Sequence, residues 1–205
     1  MKLYFSPGAC SLAPHIVLCE AGLSCDLEKV DLGTKRTAGG ADFKVVNPKG
    51  YVPALQLDSG AVLTEVTVVV QYLADLAPEK HLVPAAGTLE RYRVMEWLNF
   101  IATELHKGFS PLFKAEIPAE AKALAIANLS KRLDFVCEQL QRSTYLAGDQ
   151  FNVADTYLFT VLRWARYVKF DLAPWPAVQA YLKRVAARPA VHAAMLAEGL
   201  VKNAA

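Results

Sequence analysis

The sequence predicts a small α/β domain followed by an all-helical domain, with boundaries at residues 1–78, a linker at 79–88 and a helical part at 89–205. Three observations carry this. An apolar run, a helical pattern and a second apolar run open the chain as a βαβ unit, and two short runs around Asp58-Ser59-Gly60 follow as an antiparallel hairpin. Pro78, Pro84 and Gly87 then interrupt all periodicity. Beyond them every periodic stretch has the three- and four-residue spacing of helices.

Taken in order, Lys2 to Phe5 reads as the first strand. Pro7-Gly8 turns the chain, and Leu12, His15, Ile16, Leu18, Cys19 and Leu23 mark a helix from about Cys10 to Ala21, stopped by Gly22. Cys25 to Val30 is the second strand, Gly33 to Ala41 a polar loop exposing Lys35 and Arg36, and Ala41 to Val46 a short helix. Asn47-Pro48-Lys49-Gly50 signals a turn before the hairpin.

Leu63 to Val70 is crowded with β-branched residues, and propensity alone reads it as strand. Thr64 as N-cap, Glu65 at a positive helix end and the helix-forming Gln71 to Leu76 argue for a helix from Glu65. After the linker, helices are expected over Leu89–Phe113, Ala119–Gln141, Val153–Val168, Ala177–Ala187 and Pro189–Glu198. Asn152-Val153-Ala154-Asp155 is a capping-box signature, with Thr156 a poor partner for a hydrophobic staple.

Composition excludes several classes. Lys and Arg number 22 against 20 Asp and Glu, a net charge of +2, and no basic cluster stands out. That argues against a nucleic-acid or membrane-surface partner. The strongest apolar run, Val66 to Val70, is far too short to span a bilayer, and the chain opens directly into a strand without the layout of a signal peptide. Cys10, Cys19, Cys25 and Cys137 show neither paired spacing nor clustering with His, which fits a reduced cytoplasm and no metal.

Three patches carry candidate chemistry. Cys10 sits where a strand runs into a helix, and unpaired N–H groups there favour a thiolate or an anion; a cysteine that merely packs is the plain alternative. Glu65, beside Val52-Pro53, could hold a ligand bearing both amino and carboxylate groups, with the carboxylate on the N–H of Val66; equally, Glu65 could only stabilise its own helix. Asn99, Thr103, His106 and Lys107 share one helical face, apart from the apolar stripe of Leu98, Ile101, Ala102 and Leu105. Such a face is either solvated or, with Phe109, Leu112 and Phe113 just beyond it, the edge of an apolar cleft.

The βαβ, loop, ββ order resembles the thioredoxin fold, in which a cis-proline precedes the third strand; Pro53 occupies that place. More specifically, Met1-Lys2-Leu3-Tyr4, Ser6-Pro7-Gly8-Ala9-Cys10-Ser11-Leu12, Asn47 to Pro53, Leu63-Thr64-Glu65, Thr103 to Phe113, Val153 to Phe159 and Glu198-Gly199-Leu200 resemble the bacterial beta class of glutathione S-transferases. The resemblance implies a thioredoxin-like N-terminal domain (βαβ-α-ββα) and a helical domain that supplies the second-substrate site. It implies Cys10, His106 and Ser11 as catalytic residues. Glutathione contacts are implied at Cys10, Lys35, Val52, Pro53, Glu65, Val66, Asn99, Thr103, Glu104, Leu105 and His106.

It further implies glutathione as co-substrate with no other cofactor, an apolar electrophile as second substrate, and a homodimer paired through the helix from Glu65 and the Leu89 helix. One departure stands out: where the family places Gly or Ser after the Glu, this chain has Val66, whose bulk is expected to crowd the carboxylate. Conjugation is the leading function. Thiol–disulfide exchange or reductive dehalogenation by Cys10, and ligand sequestration without catalysis, are the alternatives; Ala13 three residues after Cys10 excludes a C-x-x-C dithiol.

Overall fold

The computed structural model describes residues 1–202. It divides into two compact units, one of Met1–Val83 together with the segment from Ala187 onward, the other Pro84–Ala186. The boundary at Val83 falls inside the expected linker. The helical part is shorter than expected, however. It ends at Ala186, and the terminal helix belongs to the first unit.

That unit is built on a five-stranded sheet of order β3-β2-β1-β4-β5. The strands are β1 (Lys2–Phe5), β2 (Asp26–Asp31), β3 (Arg36–Thr37), β4 (Ala54–Gln56) and β5 (Val62–Thr64). β1 pairs parallel with β2 and antiparallel with β4, setting Leu3 opposite both Leu27 and Leu55. Successive side chains of β1 alternate in face, so Leu3 and Phe5 point one way and Tyr4 the other. Tyr4 joins Val30, Phe43, Val52 and Ala54 in a buried cluster. The two-residue β3 lies inside the Gly33–Ala41 segment expected as loop, where Arg36 and Thr37 pair with Asp31 and Val30.

Helix α1 (Leu12–Ala21) is buried from Leu12 to Leu18 and ends at Gly22, whose φ of +68° suits the left-handed cap. Helix α2 (Val66–Asp75) confirms the helical reading against β propensity. Val66, Val69, Val70, Leu73 and Ala74 form one buried stripe. Burying a Val side chain is worth about 1.5–3 kcal/mol, against a helix-propensity cost of at most ~0.7 kcal/mol, so packing decides. The terminal helix α8 (Pro189–Ala197) packs against α1, burying Val191, Ala194 and Met195. Arg188 seals this contact with a two-pronged ion pair to Glu20, at 2.6 and 2.9 Å.

In the second unit the expected Leu89–Phe113 helix is not continuous. It comprises α3 (Leu89–Phe100), a π-helical stretch over Ile101–His106, α4 (Lys107–Phe109) and a 3-10 turn over Ser110–Phe113. Then follow α5 (Ala119–Arg142), α6 (Val153–Leu162) with a 3-10 turn over Arg163–Arg166, and α7 (Pro176–Ala186). Gly108 lets α4 approach α5 closely: a Cβ there would lie 2.7 Å from Leu129 Cδ2.

Every residue of α6 is buried, and its start is fixed by the expected capping box. Asn152 Oδ1 accepts the Ala154 N–H at 2.9 Å. Asp155 returns the bond, accepting the Asn152 N–H at 3.0 Å, and also takes the Leu146 N–H at 3.1 Å and the Tyr181 hydroxyl at 3.0 Å. Burial first, then the Asp155 charge, pushes the Tyr181 phenol well above its ordinary pKa. Thr156, unsuited to a staple, donates its hydroxyl to the Val153 carbonyl, and Phe151 packs edge-on against Tyr145 instead.

Candidate active site

The candidate residues of the first unit gather at the loop between β1 and α1. Gly8 takes a φ of +72°, which turns the chain sharply after Phe5. Ser11 is fully buried, accepting the Ser6 N–H at 3.1 Å and donating to the Ser6 carbonyl at 3.3 Å. In this arrangement the Ser11 hydroxyl closes the loop onto Ser6. Cys10 lies just ahead of α1, not within its first turn, because Leu12 and Ala13 first close back onto Ala9 and Cys10 in a tight turn. Its partly exposed Sγ donates to the Val52 carbonyl at 3.1 Å.

Val52 is joined to Pro53 by a cis peptide, as the resemblance implied. The approach to it is held by Asn47, only 2% exposed, whose Nδ2 donates to the Tyr51 carbonyl at 2.7 Å. Next to this run, Glu65 caps α2 with a φ of +70°. Its exposed carboxylate pairs with Lys49 Nζ at 2.5 Å, and Lys49 also donates to Thr64 Oγ1 at 2.8 Å. Lys49 was legible only as part of a turn. Lys35, also at positive φ, holds its Nζ 5.6 Å from the centre of the Tyr51 ring. Val66 is the first residue of α2, so its N–H has no acceptor within the helix.

The Val66 side chain, 5% exposed, shares the inward stripe with Val69 and Val70.

A carboxylate from the distant end of the chain supports this loop. Glu198 Oε2 accepts the Gly8 N–H at 2.8 Å, and Oε1 lies 2.9 Å from His15 Nδ1. Burial opposes a charge on His15, but hydrogen bonds with Cys19 and Glu198 and the charges of both overcome it and raise its pKa to about 9. His15 is thus an imidazolium at neutral pH, paired with a buried carboxylate that also grips the Cys10 loop. Both residues appear in the sequence patterns, but 183 residues separate them and no local signal joins them.

The candidate residues of the second unit lie on the π-helical stretch. A π turn closes through i→i+5 bonds, so the spacing that put Asn99, Thr103, His106 and Lys107 on one face does not hold through it. Asn99 and Thr103 are exposed, and Thr103 Oγ1 donates to the Asn99 carbonyl at 3.0 Å. Glu104 pairs with Arg132 Nε at 2.5 Å. Leu105 is fully buried, and its side chain belongs to the core.

His106 is half-buried, with Nδ1 2.6 Å from the Tyr157 hydroxyl and its ring edge-on to Trp164 at 4.7 Å between centroids. Trp164 also meets Phe109 and Phe113 edge-on, and half-exposed Phe113 leaves an apolar wall beside His106. The first unit thus presents a thiol, a backbone carbonyl and an anion-receptive helix start; the second unit presents an imidazole against aromatic rings.

The two units are a thioredoxin-like domain with a cysteine at its first loop and a helical domain, and comparison with known proteins places that arrangement in a family. Residues 8–76 match the model of the glutathione S-transferase N-terminal domain, and residues 100–189 that of its C-terminal domain. Glutathione S-transferase GstA of Escherichia coli O157:H7 is 50% identical over 98% of this chain and 100% of its own. Among solved structures, a bacterial beta class glutathione S-transferase of Sphingomonas chungbukensis is 48% identical, with a TM-score of 0.95 over 98% of this chain and 100% of its own. A sphingomonad glutathione S-transferase complexed with glutathione matches to the same extent, 48% identity and TM-score 0.95, with the same coverage. The chain belongs to the glutathione S-transferase family and is a transferase of that fold.

Proposed function

We propose that the protein adds the thiolate of glutathione to small, largely apolar electrophiles. The observation that carries this is the Cys10 thiol on the Val52 carbonyl, beside the start of α2. In this reading the Val52 backbone, followed by Pro53, pairs with the cysteinyl unit of glutathione, and Cys10 lies against its sulfur. Glu65 takes the amino group. The N–H of Val66 and the ammonium of Lys35 take carboxylates, and Lys49 adds positive charge beside them. Asn99, Thr103 and Glu104 contribute polar contacts from the second unit, and His106 acts on the sulfur. The thiol loses its proton to solvent, the thiolate forms a bond to the electrophilic carbon, and the leaving group departs with its electron pair. Glutathione is a co-substrate, and the chemistry calls for no further cofactor.

The same reading makes the protein a cytoplasmic detoxification enzyme acting as a homodimer. No helix among the described residues is long and apolar enough to cross a membrane. Exposed Val68, Leu76, Leu89, Tyr92 and Met95 on α2 and α3 and their flanks supply apolar surface for a two-fold pairing. Sedimentation should give twice the 22.4 kDa chain mass; a 22.4 kDa species at micromolar concentration would remove the dimer. The activity is tested by glutathione titration followed by turnover with a generic aryl halide. Binding with conjugation is expected. Disulfide reduction or dehalogenation without conjugation would make Cys10 the nucleophile instead, and hydrophobe binding with neither would leave a sequestering protein.

A further inference from the structure

We propose that Tyr157 is a positioning residue which fixes His106 in the tautomer carrying its proton on Nε2, so that His106 acts as a hydrogen-bond donor to sulfur and not as the base that deprotonates it. The inference rests on the reading that His106 acts on the glutathione sulfur. Its basis is the 2.6 Å separation of the Tyr157 hydroxyl and His106 Nδ1. A phenol is a better donor than a neutral imidazole N–H, and a short contact between them favours O–H donating to the unprotonated nitrogen. A neutral imidazole with Nδ1 as acceptor must carry its proton on Nε2.

The surroundings hold this pair in place. Tyr157 is 2% exposed, in the middle of α6, the helix whose start is tied down by Asn152 and Asp155. Its ring is edge-on to that of His106, with an interplanar angle of 83°. Trp164 meets the imidazole from another direction at 77°, so two rigid rings restrict rotation of the histidine. The π-helical stretch ends on His106 itself, and π-bulges inside α-helices are frequent at functional sites. No proton is removed by His106 in this scheme. The thiol proton leaves to solvent, and the Nε2–H stabilises the thiolate and the charge that develops as the new bond forms.

The test combines ring-nitrogen NMR of protein labelled with 15N-histidine and the kinetics of Tyr157→Phe, which keeps the ring and removes only the hydroxyl. In the wild type, His106 should show a pyrrole-type Nε2 and a pyridine-type Nδ1. In Tyr157→Phe the tautomers should mix, and kcat for aryl-halide conjugation should fall about tenfold to a hundredfold while KM for glutathione stays within about twofold. A wild-type His106 protonated on Nδ1, or a Tyr157→Phe enzyme with unchanged kcat, overturns the proposal. The wild-type spectrum decides the tautomer even if the variant folds poorly. Absence of conjugation in the wild type would instead strike the proposed function, and the spectrum would still report on the hydrogen bond.

Discussion

Glu198→Ala should lower the stability of the first unit by about 1–3 kcal/mol at pH 6, and by less above pH 9. The substitution removes the partner of a buried imidazolium and the acceptor of the Gly8 N–H together. His15 has its pKa raised from 6.5 to about 9 in the folded protein. A raised pKa means the folded state holds the proton more tightly than the unfolded chain. The stabilisation is therefore complete below pH 6.5, declines from there to about pH 9, and is lost above it. The gap between the denaturant midpoints of wild type and variant should accordingly be smaller at pH 9.5 than at pH 6, leaving what the Gly8 N–H loses.

Glu198→Gln should recover part of the loss, because an amide oxygen can still accept from Gly8 while the charge pairing is gone. A gap between wild type and Glu198→Ala that is the same at both pH values would show that the pair with His15 is not what the carboxylate contributes.

Asp155→Ala should cost the second unit about 3–5 kcal/mol. Three donors converge on this fully buried carboxylate: the N–H groups of Asn152 and Leu146 and the hydroxyl of Tyr181. Alanine leaves all three without it in a place water does not reach, and it breaks the capping box that starts α6. Asp155→Asn retains one acceptor oxygen and should fall between the two. Thermal unfolding of the three proteins checks the order. An Asp155→Ala midpoint within a degree or two of wild type would mean that the N-cap of Asn152 and the packing of α6 suffice to hold this corner.

Much of this was readable from local signals. The strand and turn residues around Gly8 and Asp58-Ser59-Gly60 specify the α/β order, and Asn152 and Asp155 specify the start of α6 by themselves. Helix α2 lay at the limit: Glu65 and the helix-forming Gln71 to Leu76 point to a helix, and the inward spacing of Val66, Val69 and Val70, a tertiary property, outweighs their strand preference. What stayed hidden depends on distance or on backbone detail. The β3 strand is two residues long and exists only by pairing with β2. The π stretch from Ile101 to His106 has no residue signature, so an ordinary helical spacing misplaced its side chains. Ser11 and Leu105 sit within site motifs but turn inward, which no motif reports. Glu198 reaches the Cys10 loop from 190 residues away, and the terminal helix that carries it read as part of the helical domain.

The account turns on Cys10 and Val52 marking the position of the glutathione sulfur. Mass spectrometry of the intact protein after mild oxidation with glutathione, followed by peptide mapping, tests this directly. A single adduct on Cys10 is expected, with Cys19, Cys25 and Cys137 unmodified, since reactivity follows access and thiolate fraction: Cys137 is buried, and burial pushes the Cys25 thiol up. An adduct found mainly on Cys19, Cys25 or Cys137 would contradict the placement of the ligand at Cys10.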